Sequence, residues 1–188
     1  MLGENMLSKK VLVSSLLASC LAFSANAGVK LTKTTDGNDF TEELKGLAKA
    51  FGDTKKKDNV MTEAEKVFLE TGKNIYVGDA AAEKRGKKRF GYWSCTQCHG
   101  PTAKGQVGPG LVGPTFRYPK DITNQGMFET IWYGTNGGMG GKGYGVMAPD
   151  DGMTVDELLK TIAWVRTNGS QGVTGNEDEN MKKLLKND

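Results

Sequence analysis

The stretch Cys95-Thr96-Gln97-Cys98-His99 decides how the rest of this 188-residue sequence is interpreted. Two cysteines separated by two residues and followed at once by a histidine form the C-x-x-C-H signature of covalent haem attachment. Thiols at this spacing can form thioethers with the two vinyl groups of one porphyrin, while the adjacent imidazole ligates the iron. We therefore expect Cys95 and Cys98 to hold one haem c, with His99 as the proximal iron ligand.

Other uses of a Cys-x-x-Cys pair fit this sequence poorly. A structural zinc site needs four ligands, whereas the only further cysteine is Cys20, in an apolar run near the N-terminus. A thioredoxin-like redox motif belongs in a βαβ unit, but Gly- and Pro-rich sequence follows His99. Because His99 is the only histidine in the chain, haem ligation by two histidines is excluded.

Charge and composition narrow the range of partners. The sequence carries 25 basic and 22 acidic side chains, so its charge is nearly balanced. It has no block of basic residues interleaved with aromatic residues, the pattern that nucleic-acid binding requires. We therefore expect no nucleic-acid partner. Most of the 26 glycines follow the haem motif, and such loop-rich sequence suits a domain in which a large apolar cofactor supplies part of the core.

Residues 1–27 have the pattern of a secretion signal. A basic pair precedes an apolar run over 11–23, and residues 25–27 form an A-x-A cleavage site. The apolar run is shorter than the roughly 20 residues that cross a membrane, so we expect no membrane span. The mature chain would then begin at Gly28 in the periplasm. The sequence before Cys20 also resembles a lipobox, which leaves lipid anchoring at Cys20 as the alternative.

The rest of the chain divides into three parts. Residues 28–58 form a polar N-terminal extension, 59–170 the haem domain and 171–188 a polar C-terminal tail, which we expect to be a frayed helix. Within the extension, apolar residues are spaced for one amphipathic helix. The extension could pack on the main domain, contact a partner or be loosely ordered. The apolar residues of this helix are Phe40, Leu44, Leu47 and Phe51.

Helix start signals predict the elements of the haem domain. Residues 62–65 and 154–157 are capping boxes, in which a threonine is followed three residues later by a glutamate. Asp79 can cap a helix over 80–92 that leads into the haem motif, and 123–133 has helical spacing. The resulting fold class is all-α, with helices and Gly-rich loops wrapped around one covalent haem c.

A proline after the haem motif is placed to orient the proximal histidine. Gly108-Pro109-Gly110-Leu111 begins about nine residues after His99. The carbonyl of Pro109 can accept the N–H of the imidazole and fix the orientation of the ring. We place Pro109 and Leu111 in the haem pocket.

The sixth iron ligand is expected to be a methionine thioether, because the chain has no second histidine. Met139 and Met147 both lie in the Gly-rich segment before the last helix. Met147 belongs to a Met-x-Pro segment, and the residue before a proline is held extended. We expect this backbone to let the sulfur of Met147 point inward, and we keep Met139 as the alternative. The methionines after the predicted cleavage site are Met61, Met127, Met139, Met147, Met153 and Met181.

The order helix, C-x-x-C-H, Gly-Pro-x-Leu, Met-x-Pro, helix resembles the class I c-type cytochromes. This resemblance implies that the first and last helices of the domain cross, with Gly86 and Phe90 of the first meeting Trp164 of the last. It also assigns the carbonyl of Pro109 to the proximal imidazole and the thioether of Met147 to the distal side of the iron.

A closer resemblance, over about residues 66–168, is to the cytochrome cL family. It is carried by residues 68–76 and 118–120, by 127–132 and by 161–166. Cytochromes cL accept electrons from quinoprotein methanol and alcohol dehydrogenases, including lanthanide-dependent ones. The resemblance therefore implies a periplasmic mono-haem electron carrier and not an enzyme. Its donor would be a PQQ-dependent dehydrogenase, and its acceptor a downstream cytochrome c or an oxidase.

Two other functions are compatible with the haem motif. A generic class I carrier would have the same fold and would serve a different oxidoreductase. A haem enzyme or gas sensor would need an open distal site on the iron, and the available Met147 argues against one.

Overall fold

The computed structural model describes residues 28–168 and 173–176. The predicted signal at 1–27 and most of the predicted tail lie outside these residues. In the described part, the regular elements are helical, and isolated β-bridges are the only extended pairings. None of the helices in this part is long and apolar enough to cross a membrane. The prediction of an all-α fold is confirmed.

The described residues contain six α-helices and one 3-10 turn. Helix α1 lies in the N-terminal extension, α4 is the haem motif itself, and α3 and α6 are the two longest. Long irregular segments separate α4 from α5 and α5 from α6. In chain order the elements are α1 Thr41–Phe51, α2 Glu63–Thr71, α3 Ala80–Tyr92, α4 Cys95–His99, the 3-10 turn Pro119–Ile122, α5 Asn124–Tyr133 and α6 Val155–Thr167.

The predicted helix starts are present as hydrogen-bonded caps. Thr62 and Thr154 each form a complete capping box with the glutamate three residues later. The carboxylate of Asp79 accepts hydrogen bonds from the N–H groups of the second and third residues of α3, at 2.8 and 3.1 Å. The hydroxyl of Thr123 caps α5. Each cap is worth about 1 kcal/mol, because it satisfies backbone N–H groups that the helix leaves unpaired.

Helices α3 and α6 cross in the way that the sequence implies. A Cβ atom at Gly86 would lie 1.9 Å from the carbonyl oxygen of Lys160, so only glycine permits this approach of the two backbones. One turn further on, the rings of Phe90 and Trp164 lie 4.8 Å apart. Because α4 begins three residues after the end of α3, the crossing also positions the haem motif.

The N-terminal extension is part of the same hydrophobic core. Leu31, Phe40 and Leu44 are buried in one cluster with Leu158 and Ile162 of α6. The backbone N–H of residue 29 also donates to the carbonyl of residue 69 at the end of α2, at 3.1 Å. The sequence left it open whether the extension packs on the main domain, contacts a partner or is loosely ordered. In the structure it packs on the main domain.

Residues 173–176 return to the domain beside the start of α5. Val173 is fully buried. The side-chain carbonyl of Asn176 accepts hydrogen bonds from the backbone N–H of Asn74 at 2.8 Å and from the amide of Asn124 at 2.7 Å. These four residues are not helical, so the expected frayed helix is wrong for them; the remainder of the tail lies outside the described residues.

Candidate haem site

Helix α4 brings the three residues of the haem motif onto little more than one turn. Cys98 is exposed, Cys95 is partly buried and His99 is buried. The two thiols are free and not joined as a disulfide. Burial raises the pKa of the Cys95 thiol, while the positive charge of Lys142 opposes this shift. Two free thiols and one imidazole on a single turn are the donor set that covalent haem attachment requires.

The imidazole of His99 is held by the loop that follows it. Its Nδ1 lies 2.8 Å from the carbonyl oxygen of Pro109, which is the contact expected from the sequence. Because a carbonyl oxygen can only accept, Nδ1 carries the proton in this pair. The other ring nitrogen then keeps its lone pair and can ligate a metal ion.

Gly108 allows this loop to lie against the haem motif. Its N–H donates to the carbonyl of Cys98 at 2.7 Å. A Cβ atom at this position would lie 3.1 Å from Cε1 of His99 and 3.2 Å from Cβ of Cys98, closer than most such contacts. Sequence reasoning singled out Pro109 and missed the steric role of its neighbour, for which the Gly-Pro pair was the available signal.

Leu111 is hydrogen-bonded to the turn that follows α4. Its N–H donates to the carbonyl of Ala103 at 2.8 Å, and its side chain packs against the core. On the Pro109 side of this loop, an open cleft of about 430 Å³ extends to Arg117. The loop therefore presents an apolar side chain and an open cleft close to the held imidazole.

Met139 and Met147 lie on the same Gly-rich segment between α5 and α6, and the structure does not identify which of them is the distal iron ligand. Met139 is partly buried, and its carbonyl accepts from the N–H of Thr135 at 2.8 Å. The N–H of Met147 donates to the carbonyl of Gly143 at 3.0 Å, so a turn precedes this residue. Met147 is 37% exposed, and its assignment as the iron ligand stays a prediction.

Two buried indole N–H groups have no hydrogen-bond partner among the described residues, those of Trp93 and Trp132. Trp93 lies two residues before Cys95. The ring of Trp132 packs so closely on Gly143 that a Cβ atom there would lie 2.4 Å from it. Buried donors are almost always paired, and the carboxylates of a haem would offer acceptor oxygens. The unpaired donors and the free thiols therefore fit a bound haem. No cluster of three or more His, Cys, Asp or Glu side chains that could hold a bare metal ion occurs in the described ranges.

A lysine of the N-terminal extension lies beside the haem motif. The ammonium group of Lys55 sits over the ring of Trp93, 4.7 Å from its centre, and pairs with Asp151 at 2.6 Å. Sequence reasoning missed these contacts, because Lys55 lies 38 positions before Trp93 and 96 before Asp151, and no periodic pattern connects them.

Comparisons with known proteins agree with this geometry. The model of the Cytochrome c family matches residues 83–169. Cytochrome c-L of Methylorubrum extorquens is 40% identical over 124 residues, which are 64% of this chain and 59% of that protein. The chain thus spans about three fifths of the length of this curated relative.

Two solved structures of cytochrome cL resemble the chain in both sequence and fold. The one from Hyphomicrobium denitrificans is 35% identical, with a TM-score of 0.60, over 74% of this chain and 73% of that one. The one from the marine methylotrophic bacterium Methylophaga aminisulfidivorans is also 35% identical, with a TM-score of 0.57, over 73% and 79%. With these likenesses and a haem motif in the expected geometry, the chain belongs to the cytochrome c family of electron-transfer proteins and is a homologue of cytochrome cL.

Proposed function

We propose that this protein is a periplasmic electron carrier that accepts single electrons from a PQQ-dependent methanol or alcohol dehydrogenase. It would pass them to a downstream cytochrome c or an oxidase. The observation that carries the proposal is the extent of the similarity to cytochrome c-L, because 124 aligned residues reach well beyond the 83–169 segment that the general family model matches.

The residues of α4 and its following loop would hold the cofactor. Cys95 and Cys98 would form the two thioethers, and His99 would ligate the iron through the nitrogen that does not face Pro109. When bound, haem c supplies a one-electron iron couple. The carbonyl of Pro109 holds the ring at 2.8 Å and makes the imidazole a stronger electron donor. The protein itself forms and breaks no substrate bond.

Met147 is the proposed distal ligand, with Met139 as the alternative. A thioether on the distal side raises the reduction potential and fills the coordination sphere, which suits electron transfer. Both residues lie on the Gly-rich segment between α5 and α6, which makes them the two candidates for this role. Leu111 would form part of the pocket wall on the opposite side.

The distal ligand can be identified from the far-red charge-transfer band of ferric haem with a methionine ligand. We expect the wild-type holoprotein to have this band, Met147→Ala to lose it, and Met139→Ala to keep it. The two variants remove the same side chain from the same loop, so each is the control for the other. Loss of the band only in Met139→Ala would transfer the assignment to that residue, and its absence from the wild type would contradict a methionine ligand.

The electron donor can be tested by direct reduction. The oxidised holoprotein is mixed with a purified quinoprotein methanol dehydrogenase and methanol, and haem reduction is followed by absorbance. We expect reduction to depend on both enzyme and substrate, and to be at least tenfold faster than that of a class I cytochrome c from an unrelated pathway. An equal or faster rate for the unrelated cytochrome would contradict the proposal and favour a carrier for another oxidoreductase.

A further inference from the structure

The N-terminal extension, residues 28–58, contacts the segment on which the proposed distal ligand lies. We call residues 133–153 the distal segment; it runs from the last residue of α5 to the approach to α6. The extension lies wholly outside residues 83–169, which the family model matches. Its contacts with the distal segment fall at two places, one at residues 133–136 and the other at Tyr144 and Asp151.

In the first contact, the extension packs against the start of the distal segment at Tyr133. The ring of Phe40 meets the ring of Tyr133 edge-on, with the ring centres 4.8 Å apart. The Tyr133 hydroxyl donates a hydrogen bond to the Glu43 carboxylate at 2.9 Å. Three residues further on, the amide of Asn136 donates to the backbone carbonyl of Thr35 at 3.2 Å. The extension thus supplies apolar and polar contacts at this end.

The second contact is made at Tyr144 and Asp151 of the distal segment. The rings of Phe51 and Tyr144 lie 4.5 Å apart. Lys55 pairs with Asp151 at 2.6 Å while its ammonium group lies over the Trp93 ring. Since Trp93 comes two residues before the first haem cysteine, Lys55 bridges the haem motif and the distal segment.

The distal segment needs such support because of its composition. Seven of the twelve residues from 134 to 145 are glycine, and glycine loses more conformational freedom on ordering than any other residue. Loops with few buried side chains open locally at little cost in free energy. Met139 lies between the two contacts, and Met147 lies between Tyr144 and Asp151 of the second contact, so the support acts on either candidate ligand.

We propose that the N-terminal extension is a positioning element that holds the distal segment against the haem, so that the stability of the distal methionine–iron bond depends on Phe51 and Lys55. This inference rests on the proposed distal methionine. Neither residue touches the iron. Each acts by lowering the population of states in which the segment has moved away and the iron is open to another ligand.

Competition by imidazole measures that population in the ferric holoprotein. Imidazole replaces the thioether only when the distal segment opens, so its apparent affinity rises with the open fraction. We expect Lys55→Ala and Phe51→Leu each to raise the apparent imidazole affinity about three- to tenfold, and the double variant to raise it further. The far-red band is expected to remain in both single variants without imidazole.

Two matched controls separate positioning from general loss of stability. Lys45→Ala removes a partly exposed lysine of α1 that pairs only with Glu42 among the described ion pairs. Phe68→Leu alters a fully buried phenylalanine of α2 whose ring packs on Phe128 of α5. Both are expected to change imidazole affinity less than twofold, although Phe68→Leu should lower the unfolding temperature.

Several outcomes would overturn the inference. Unchanged imidazole affinity in Lys55→Ala and Phe51→Leu, with the far-red band present, would refute positioning and leave the proposed electron carrier intact. An equal rise in Phe68→Leu would show that global stability is responsible. Absence of the band from the wild type would refute both this inference and the distal methionine. Failure of the dehydrogenase to reduce the haem would refute the proposed donor alone, because imidazole competition needs no partner protein.

Discussion

Glu65 is a single carboxyl group on which two requirements of the fold conflict. One of its oxygens accepts hydrogen bonds from the backbone N–H of Thr62 at 2.8 Å and from the Thr62 hydroxyl at 3.1 Å, which starts α2. The side chain is also fully buried. Burial, with a smaller contribution from the nearby Asp156 carboxylate, raises the pKa of Glu65 from 4.5 to about 7, while the hydrogen bonds from Thr62 oppose this shift. The cap needs an acceptor here, whereas the core disfavours a charge.

Glu65→Gln should therefore increase stability at alkaline pH. The folded-state pKa of about 7 lies above the unfolded value of 4.5, so the unfolded state loses its proton first as the pH rises. The contribution of Glu65 is fully present below pH 4.5 and is lost as the pH rises to about 7. Glutamine keeps an acceptor for Thr62 and does not titrate. We expect the variant to gain about 2–3 kcal/mol relative to wild type above this range, by denaturant unfolding.

The pH dependence is the readout that distinguishes this explanation from a simple change in packing. The difference in unfolding free energy between Glu65→Gln and wild type should grow between pH 4.5 and 7 and then level off. A constant difference across this range would contradict a raised pKa. Glu63→Gln, two residues earlier on the exposed side of α2, is the control and should show no such change.

At the scale of elements, the crossing of α3 and α6 depends on one missing side chain. Gly86 brings the α3 backbone against the carbonyl of Lys160, and the Phe90–Trp164 ring pair fills the next turn of the crossing. A second glycine of α3, Gly91, has open space where its Cβ would lie. The same helix therefore offers a position at which glycine is required for packing and one at which it is not.

Substituting alanine at these two glycines should have opposite effects. Gly86→Ala places a methyl group 1.9 Å from a backbone oxygen, so the helices must separate, and we expect a loss of at least about 1–3 kcal/mol. Gly91→Ala adds no clash and favours the helix, so it should be neutral or stabilising by up to about 1 kcal/mol. Thermal unfolding of the two holoproteins measures the difference. Equal melting temperatures would contradict the role given to Gly86.

Helices that begin at a capping residue could be predicted from the sequence, whereas contacts between segments far apart in the chain could not. The caps at Thr62, Asp79 and Thr154 specify helix starts within four residues, and all three helices begin there. The Phe51–Tyr144 contact joins residues 93 positions apart, and no local pattern encodes it. The choice of Met147 over Met139 as the distal ligand, made from the Met-x-Pro segment, stays a prediction.

At the scale of the whole molecule, a partly buried ionic cluster joins the extension to the last helix; Lys160 and Asp156 are buried, and Asp53 is exposed. The Lys160 ammonium group pairs with Asp53 at 2.7 Å and also with Asp156 one turn earlier in α6. Asp156 accepts a further hydrogen bond from the Tyr76 hydroxyl at 2.6 Å. Buried charges are tolerated only when they are paired in this way. The cluster and the shared apolar core join residues 28–58 to residues 59–168, so we expect the two parts to unfold together.

Because of these contacts, we expect the haem domain to be unstable without the extension. A chain that begins at residue 59 would lose four large buried side chains, Leu31, Phe40, Leu44 and Phe51. Their burial contributes about 6–12 kcal/mol, which is comparable to the entire stability of an ordinary domain. Exported behind the same signal, the shortened chain should be degraded by added protease at a concentration that leaves the full chain intact. As a control, serine at the exposed positions Lys56, Lys57 and Asp58 should leave protease resistance unchanged. A shortened chain as resistant as the full one would mean that the boundary near residue 58 divides two independent units.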